Sequence, residues 1–213
     1  MTQLRITEIF RSLQGEGLTT GMSTVFVRLT GCPLRCDYCD TTYAFKGGTT
    51  MSVDEVCERV ASFGTSHVTV TGGEPLAQKG VLELLSRLCD LGHRVSLETA
   101  GAHDISQVDP RVTLVMDIKT PGSGEVERNR WQNLQHLKPG DQLKFVICDR
   151  EDYEWACRRI EEHDLTRQCE VLFSPVWEKL PPETLADWML ADHLFVRFQL
   201  QLHKVLWGEE PGR

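Results

Sequence analysis

Apolar and polar residues alternate over residues 4–10 and again over 23–30, where Val25, Val27 and Leu29 fall on one face and Phe26, Arg28 and Thr30 on the other. Both stretches predict strands. They are joined by Ser12-Leu13-Gln14-Gly15-Glu16-Gly17, a polar loop in which two glycines bracket a carboxylate. Beyond residue 50 the period changes. Ser52-Val53-Asp54-Glu55 is a capping box opening a helix with the stripe Val53, Val56, Cys57 and Val60. Val81, Leu82, Leu84, Leu85, Leu88 and Leu91 mark a second helix, closed by Gly92. Further strands are predicted over 67–71, 94–99, 112–117, 142–147 and 169–174, with helices near 126–137, 150–162 and 182–191. A last alternating strand, 194–202, leads to His203-Lys204.

Strands alternating with helices imply a mainly parallel α/β sheet of about six strands. Such a sheet either closes partly into a barrel or lies open and doubly wound. In both cases the site belongs at the C-terminal ends of the strands. The unusual residues collect there: Cys32 after 23–30, Gly72-Gly73-Glu74 after 67–71, Glu98-Thr99, Asp117-Ile118-Lys119 and Ser174-Pro175. No repeat or linker divides the 213 residues, so one domain over 1–213 is expected. Arg28 lies inside a strand, either as an edge residue or paired with a buried anion, since an unpaired buried charge is too costly.

The densest chemistry is Cys32-Pro33-Leu34-Arg35-Cys36-Asp37-Tyr38-Cys39, a C-x3-C-x2-C run in a polar loop. A 4Fe-4S cluster is normally held by four thiolates, so three would leave one iron free for another ligand. Zinc ranks second, because none of the other five cysteines, Cys57, Cys89, Cys148, Cys157 and Cys169, forms a second C-x2-C pair to close a tetrahedron. A net charge of -8 argues against nucleic-acid or anionic-membrane partners. The N-terminus lacks an apolar signal core, and no run reaches the ~18 apolar residues of a membrane span. The expectation is a cytoplasmic protein whose cysteines stay reduced or bind metal.

With an aromatic just before its last cysteine, the run resembles that of the radical S-adenosylmethionine (radical SAM) enzymes, in which the methionyl part of SAM chelates the unique iron. Thr71-Gly72-Gly73-Glu74-Pro75 resembles the same family's Gly-Gly-Glu-Pro motif, which receives the SAM amino group. The resemblance implies a partial (β/α) barrel with reduced helical content, a 4Fe-4S cluster on Cys32, Cys36 and Cys39, and SAM against Tyr38, Cys39, Asp40, Gly73, Glu74, Glu98, Asp117 and Ser174. The bland alternatives are a strand-to-helix turn for Gly72-Gly73 and helix caps for Glu98 and Asp117.

Within that superfamily, the loop of residues 12–17, Val27-Arg28-Leu29, Gly31-Cys32-Pro33, Cys39-Asp40-Thr41 and the late His203-Lys204 together resemble the 7-carboxy-7-deazaguanine synthases. That family converts 6-carboxy-5,6,7,8-tetrahydropterin to 7-carboxy-7-deazaguanine with loss of ammonia. The resemblance implies substrate contacts from Leu13, Gln14, Gly15, Glu16, Arg28, Thr71 and His203, Mg2+ on Thr41 with Asp40 supporting it, a homodimer, and an electron donor such as flavodoxin or ferredoxin. Asp117-Ile118-Lys119 departs from the Ser-Pro-Lys of some members, and Ser174-Pro175 from their Gln-Pro. The other six histidines are expected to be structural. Competing readings are a glycyl-radical activase acting on a protein and a non-catalytic zinc or iron-sulfur scaffold.

Overall fold

A computed structural model describes residues 2–208, 210 and 212. In it, β1 (Gln3–Leu13) and β2 (Ser23–Leu29) form a hairpin, and β3 (Thr49–Ser52) pairs with the outer side of β1. Then follow α1 (Val53–Ala61), β4 (His67–Gly72), α2 (Val81–Asp90), β5 (Arg94–Thr99), β6 (Thr113–Ile118) and β7 (Gln142–Ile147). The chain ends with α3 (Arg150–His163), α4 (Leu165–Gln168), β8 (Glu170–Pro175), α5 (Pro182–Ala191), β9 (Arg197–Phe198) and α6 (Leu202–Trp207). All nine strands join one sheet in the order β3-β1-β2-β4-β5-β6-β7-β8-β9, parallel from β2 onward. The edge strands β3 and β9 do not pair with each other, so the (β/α) barrel is partial and not closed.

Strand alternation sorts the side chains into two faces. One carries Val25, Val27, Leu29, Val68, Val70, Leu97, Met116, Leu143, Phe145 and Phe173, all buried in one hydrophobic cluster with the apolar stripes of α1, α2, α3 and α5. Each such side chain contributes roughly 1.5–3 kcal/mol relative to exposure. The other face carries Arg28, Thr71, Glu98, Asp117 and Lys144, with Arg28 opposite Thr71 and Asp117 opposite Lys144 in register. The second face is therefore polar, and the site forms on it.

Three expectations are corrected. The stretch 126–137 is not an α-helix but two 3-10 segments, Val126–Arg128 and Trp131–His136. The strand expected over 194–202 is reduced to Arg197–Phe198, after which the chain turns into α6. β3 was not expected; it precedes the capping box, which is present, with Ser52 Oγ accepting from Glu55 N and Glu55 Oε2 accepting from Ser52 N. No helix among the described residues is long and apolar enough to cross a membrane.

Candidate active site

The polar face opens into a cavity of about 690 Å³. One wall is the cysteine loop. Leu34, only 1% exposed, anchors the loop, while Cys32, Cys36 and Cys39 stay half-buried as free thiols on the cavity side. The backbone is tied down by Gly31 N donating to Ala44 O (2.8 Å), Asp37 N to Ser123 O (3.1 Å) and Cys39 N to Cys36 O (3.1 Å). Arg35 N donates to Glu125 Oε1, and Arg35 Nη1 to the carbonyls of Cys32 and Leu34. Burial pushes all three thiols above the ordinary cysteine range, and Lys119 opposes it at each. Three soft donors in a desolvated pocket suit iron, whose positive charge would hold them as thiolates. Among the described residues, no three His, Cys, Asp or Glu side chains come together to hold a single metal ion.

Gly72 and Gly73 line the cavity and also permit a close backbone approach. A Cβ on Gly73 would stand 2.2 Å from Gly31 O and 2.8 Å from Cys32 Cβ, and one on Gly72, at φ +149°, 2.3 Å from Leu29 O. Gly73 N donates to Leu29 O (3.1 Å) and Glu74 N to Gly31 O (2.8 Å). The absence of side chains thus lets the end of β4 lie directly against the cysteine loop.

On the opposite wall, residues 14–17 cross the polar face of the sheet. Gln14 Nε2 donates to Thr69 Oγ1 (3.0 Å) and Glu98 Oε1 (3.3 Å), and Thr71 Oγ1 donates to Glu98 Oε2 (2.8 Å). Burial, and then Glu16, push the Glu98 carboxyl up. Glu16 Oε2 pairs with Lys144 Nζ at 2.5 Å and Oε1 accepts from Gln201 Nε2 at 2.8 Å; burial would raise this carboxyl, but Lys144 and Gln201 hold it below the usual range. Lys144 also reaches Asp117 Oδ1 (3.2 Å), whose Oδ2 meets Lys119 Nζ (2.7 Å). Against burial, the two lysines hold Asp117 down as well.

Arg28 Nε donates to Glu8 Oε1 (2.7 Å), which also accepts from Tyr43 OH (2.8 Å), and the guanidinium lies over the rings of Phe10 and Tyr43. Arg28 is thus paired with an anion, one that is itself only partly buried. His203 comes within reach of Gly15, where a Cβ would stand 2.1 Å from its Nδ1. Burial lowers the imidazole pKa, which favours the neutral ring. Asp40 Oδ2 pairs with Lys204 Nζ (2.8 Å), and its Oδ1 accepts from Thr41 Oγ1 (2.9 Å); against desolvation by the cavity wall, Lys204 holds Asp40 down at about 2.

The cavity therefore brings together Leu13, Gln14, Gly15, Glu16, Arg28, Thr71 and His203 with Cys32, Cys36, Cys39, Tyr38, Asp40, Thr41, Gly73, Glu98 and Asp117. Glu74 and Ser174 are absent from its lining. The Glu74 carboxylate is fully buried behind the wall, accepting from Leu76 N, Thr99 Oγ1 and Ala100 N, so it braces the β4 and β5 ends. Ser174 is buried too, and its Oγ, like Tyr38 OH, has no hydrogen-bond partner among the described residues. Proteins seldom leave such hydroxyls unpaired, and of the two residues only Tyr38 lines the cavity, where a ligand on the cysteine side would meet it. Glu98, expected toward SAM, is bonded to Gln14 and Thr71. Lys144 and Glu8 were not foreseen, and Lys119 and Lys204 were noted only within Asp117-Ile118-Lys119 and His203-Lys204. Of the tail beyond His203, residues 209, 211 and 213 lie outside the described residues.

A cysteine triad stitched to a Gly-Gly turn at the C-terminal rim of a partial barrel defines a radical SAM enzyme, and the sequence pattern of the Radical SAM superfamily matches residues 26–111. The fold agrees: the crystal structure of QueE from Escherichia coli superposes with a TM-score of 0.78, covering 94% of this chain and 95% of that one at 23% identity. A structure of TYW1 with a lysine-pyruvate adduct bound gives 0.59, over 81% and 74% of the two chains at 12% identity. Sequence relatives narrow the class. The 7-carboxy-7-deazaguanine synthase of Chlorobaculum tepidum is 47% identical over 97% of this chain and 96% of its own, and that of Methanospirillum hungatei is 40% identical over 95% and 85%. The chain belongs to the 7-carboxy-7-deazaguanine synthase family.

Proposed function

We propose that the chain, as one radical SAM domain in the cytoplasm, converts 6-carboxy-5,6,7,8-tetrahydropterin to 7-carboxy-7-deazaguanine with loss of ammonia. The observation that carries this reading is the shared cavity, with the cysteine loop on one wall and Gln14, Glu16, Arg28 and His203 on the other. Cys32, Cys36 and Cys39 would hold the 4Fe-4S cluster, and Tyr38, Asp40, Gly73 and Asp117 lie where SAM would follow it. Bound together, cluster and SAM would supply homolytic chemistry to the cavity.

The chain's own residues position the substrate. Gln14 and the Gly15 backbone read the donor and acceptor edge of the pterin, and Glu16, kept ionised by Lys144, accepts from its N–H groups. Thr71 and Gln14 are fixed by Glu98, so the wall is arranged before substrate arrives. Arg28 faces the substrate carboxylate. Its Nε is engaged by Glu8, leaving the end of the fork for the ligand. Lysine cannot serve both anions in that geometry, so Arg28→Lys should raise KM for the carboxypterin about 10- to 100-fold, the worth of a charge-assisted hydrogen bond. An unchanged KM would remove Arg28 from the substrate site.

Thr41 is the proposed Mg2+ ligand. Asp40 is already neutralised by Lys204, so it orients the Thr41 hydroxyl and leaves the ion to that hydroxyl, substrate oxygens and water. Thr41→Val should erase most of the Mg2+ stimulation of turnover with cluster content intact; undiminished stimulation would discard the site. A homodimer is the assembly the family likeness implies, and sedimentation across a concentration series tests it.

The deciding assay is anaerobic, with dithionite in place of the flavodoxin or ferredoxin donor, SAM and the carboxypterin. Deazaguanine product supports the function. Cleavage of SAM with no product would overturn the substrate and favour a protein-activating enzyme.

A further inference from the structure

We infer that Lys144 is a positioning residue that sets the charge and orientation of Glu16 for substrate recognition, an inference that rests on the pterin reading above. Lys144 is the third residue of β7, and alternation turns it onto the polar face with Gln142. Its ammonium stands between two carboxylates, 2.5 Å from Glu16 Oε2 and 3.2 Å from Asp117 Oδ1. The two are not equally dependent on it. Asp117 has a second cation, Lys119, at 2.7 Å, whereas Lys144 is the only ion-pair partner of Glu16 among the described residues. Both members of the Lys144–Glu16 pair are largely buried, with side chains 12% and 13% exposed, so solvent screens the pair little.

The surroundings decide what happens without the lysine. Facing Glu16 are Lys144 from β7, Glu98 from β5, Asp117 from β6 across the shared ammonium, and Gln201 and His203 from the C-terminal segment. Arg28 acts on Glu98, and it is held by Glu8. Three carboxylates thus share two lysines, and Glu98 relies on the hydroxyl of Thr71 and the amide of Gln14. With Lys144 gone, burial and two neighbouring anions both favour protonated Glu16. A protonated carboxyl presents a donor to a pterin edge that itself donates.

A purely structural strut is the alternative, since the pair also ties the 14–17 loop to β7. That loop has other fastenings: Gly17 N to Gln199 Oε1 (2.6 Å), Leu18 N to Gln142 Oε1 (2.8 Å) and Gly15 O from Leu202 N (2.9 Å). A strut would be insensitive to pH in the assay range. The proposed role is not.

The test measures KM for the carboxypterin from about pH 6 to 8.5 in wild type, Lys144→Met, Glu16→Gln, the double variant and Lys144→Arg, with iron content and melting temperature alongside. Lys144→Met should raise KM about 30-fold at the acid end, as expected for one partner lost from a buried charge pair, with iron content unchanged. The rise should shrink as pH increases and Glu16 ionises. Glu16→Gln should remove that pH dependence, and the double variant should be no worse than Glu16→Gln alone. Lys144→Arg should restore KM to within a few fold. If Lys144→Met does not fold, Lys144→Gln carries the same expectations. Infrared titration of the Glu16 carboxylate, without substrate, should show its pKa raised in Lys144→Met. An unchanged KM, a pH-independent rise, an additive double variant or an unmoved carboxylate band would overturn the inference. Failure of the pterin reading looks different: wild type itself makes no product, while the carboxylate band still reports on Lys144.

Discussion

Cys36→Ala is expected to lose the iron chromophore and, with it, detectable SAM cleavage, while Cys57→Ala keeps both. The two thiols differ in place and not in type. Cys36 lines the cavity between Cys32 and Cys39 on a loop tied down by backbone bonds, and a cluster with one fewer of only three protein ligands has no spare donor nearby. Cys57 is buried in the apolar stripe of α1, so removing its sulfur leaves a small cavity and lowers stability by about 1 kcal/mol. Iron analysis and 5'-deoxyadenosine formation read the result. Full iron content in Cys36→Ala, or its loss in Cys57→Ala, would contradict the cluster assignment.

Gly73→Ala should be nearly as damaging, although no iron ligand is touched. The added methyl would overlap Gly31 O, a backbone atom with no rotamer to yield, and press on Cys32 Cβ. Relief requires the β4 end and the cysteine loop to separate, at the expense of the Glu74 N to Gly31 O bond. Overpacking of this kind costs about 1–3 kcal/mol, a fall in melting temperature of roughly 2–10 °C for a chain of this size, and the displaced loop should bind iron at least tenfold more weakly. Melting and iron reconstitution test the two parts separately. A Gly73→Ala protein that melts and reconstitutes like wild type would show that the two loops are not packed as described.

Much of this was legible in the residues, for reasons that particular positions make clear. Val25, Val27 and Leu29 alternate on one face of β2, so the strand, its parallel neighbours and the direction of Arg28 follow from period two. The stretch 126–137 misled because Trp131, Leu134 and Leu137 recur every third residue, a period that a 3-10 segment matches better than an α-helix. Its asparagines settle the matter. Asn129 bonds Lys119 N and O, and Asn133 bonds Gly101 O and His103 O, so their side chains serve distant backbone instead of a local helix. β3 is only four residues and polar, which period two cannot detect. Lys144 carried the signal that marked Arg28, a cation inside an alternating strand, and could have been found by the same argument. Glu8 as the partner of Arg28 follows from β1–β2 register, which places the two opposite each other and which a sequence does not display.

The closure of the open side of the barrel bears on how the protein is made. Residues 15–17 are held by Gln199, Gln201 and Leu202 through single hydrogen bonds spanning at least 182 residues, where a strand ladder would otherwise run. On a ribosome, the cysteine loop gains its ties to Ser123 and Glu125 only after those residues have emerged, and the wall that reads the substrate needs residues 199–202 as well. The two halves of the site are therefore completed in order, the ties of the cysteine loop before the wall that reads the substrate.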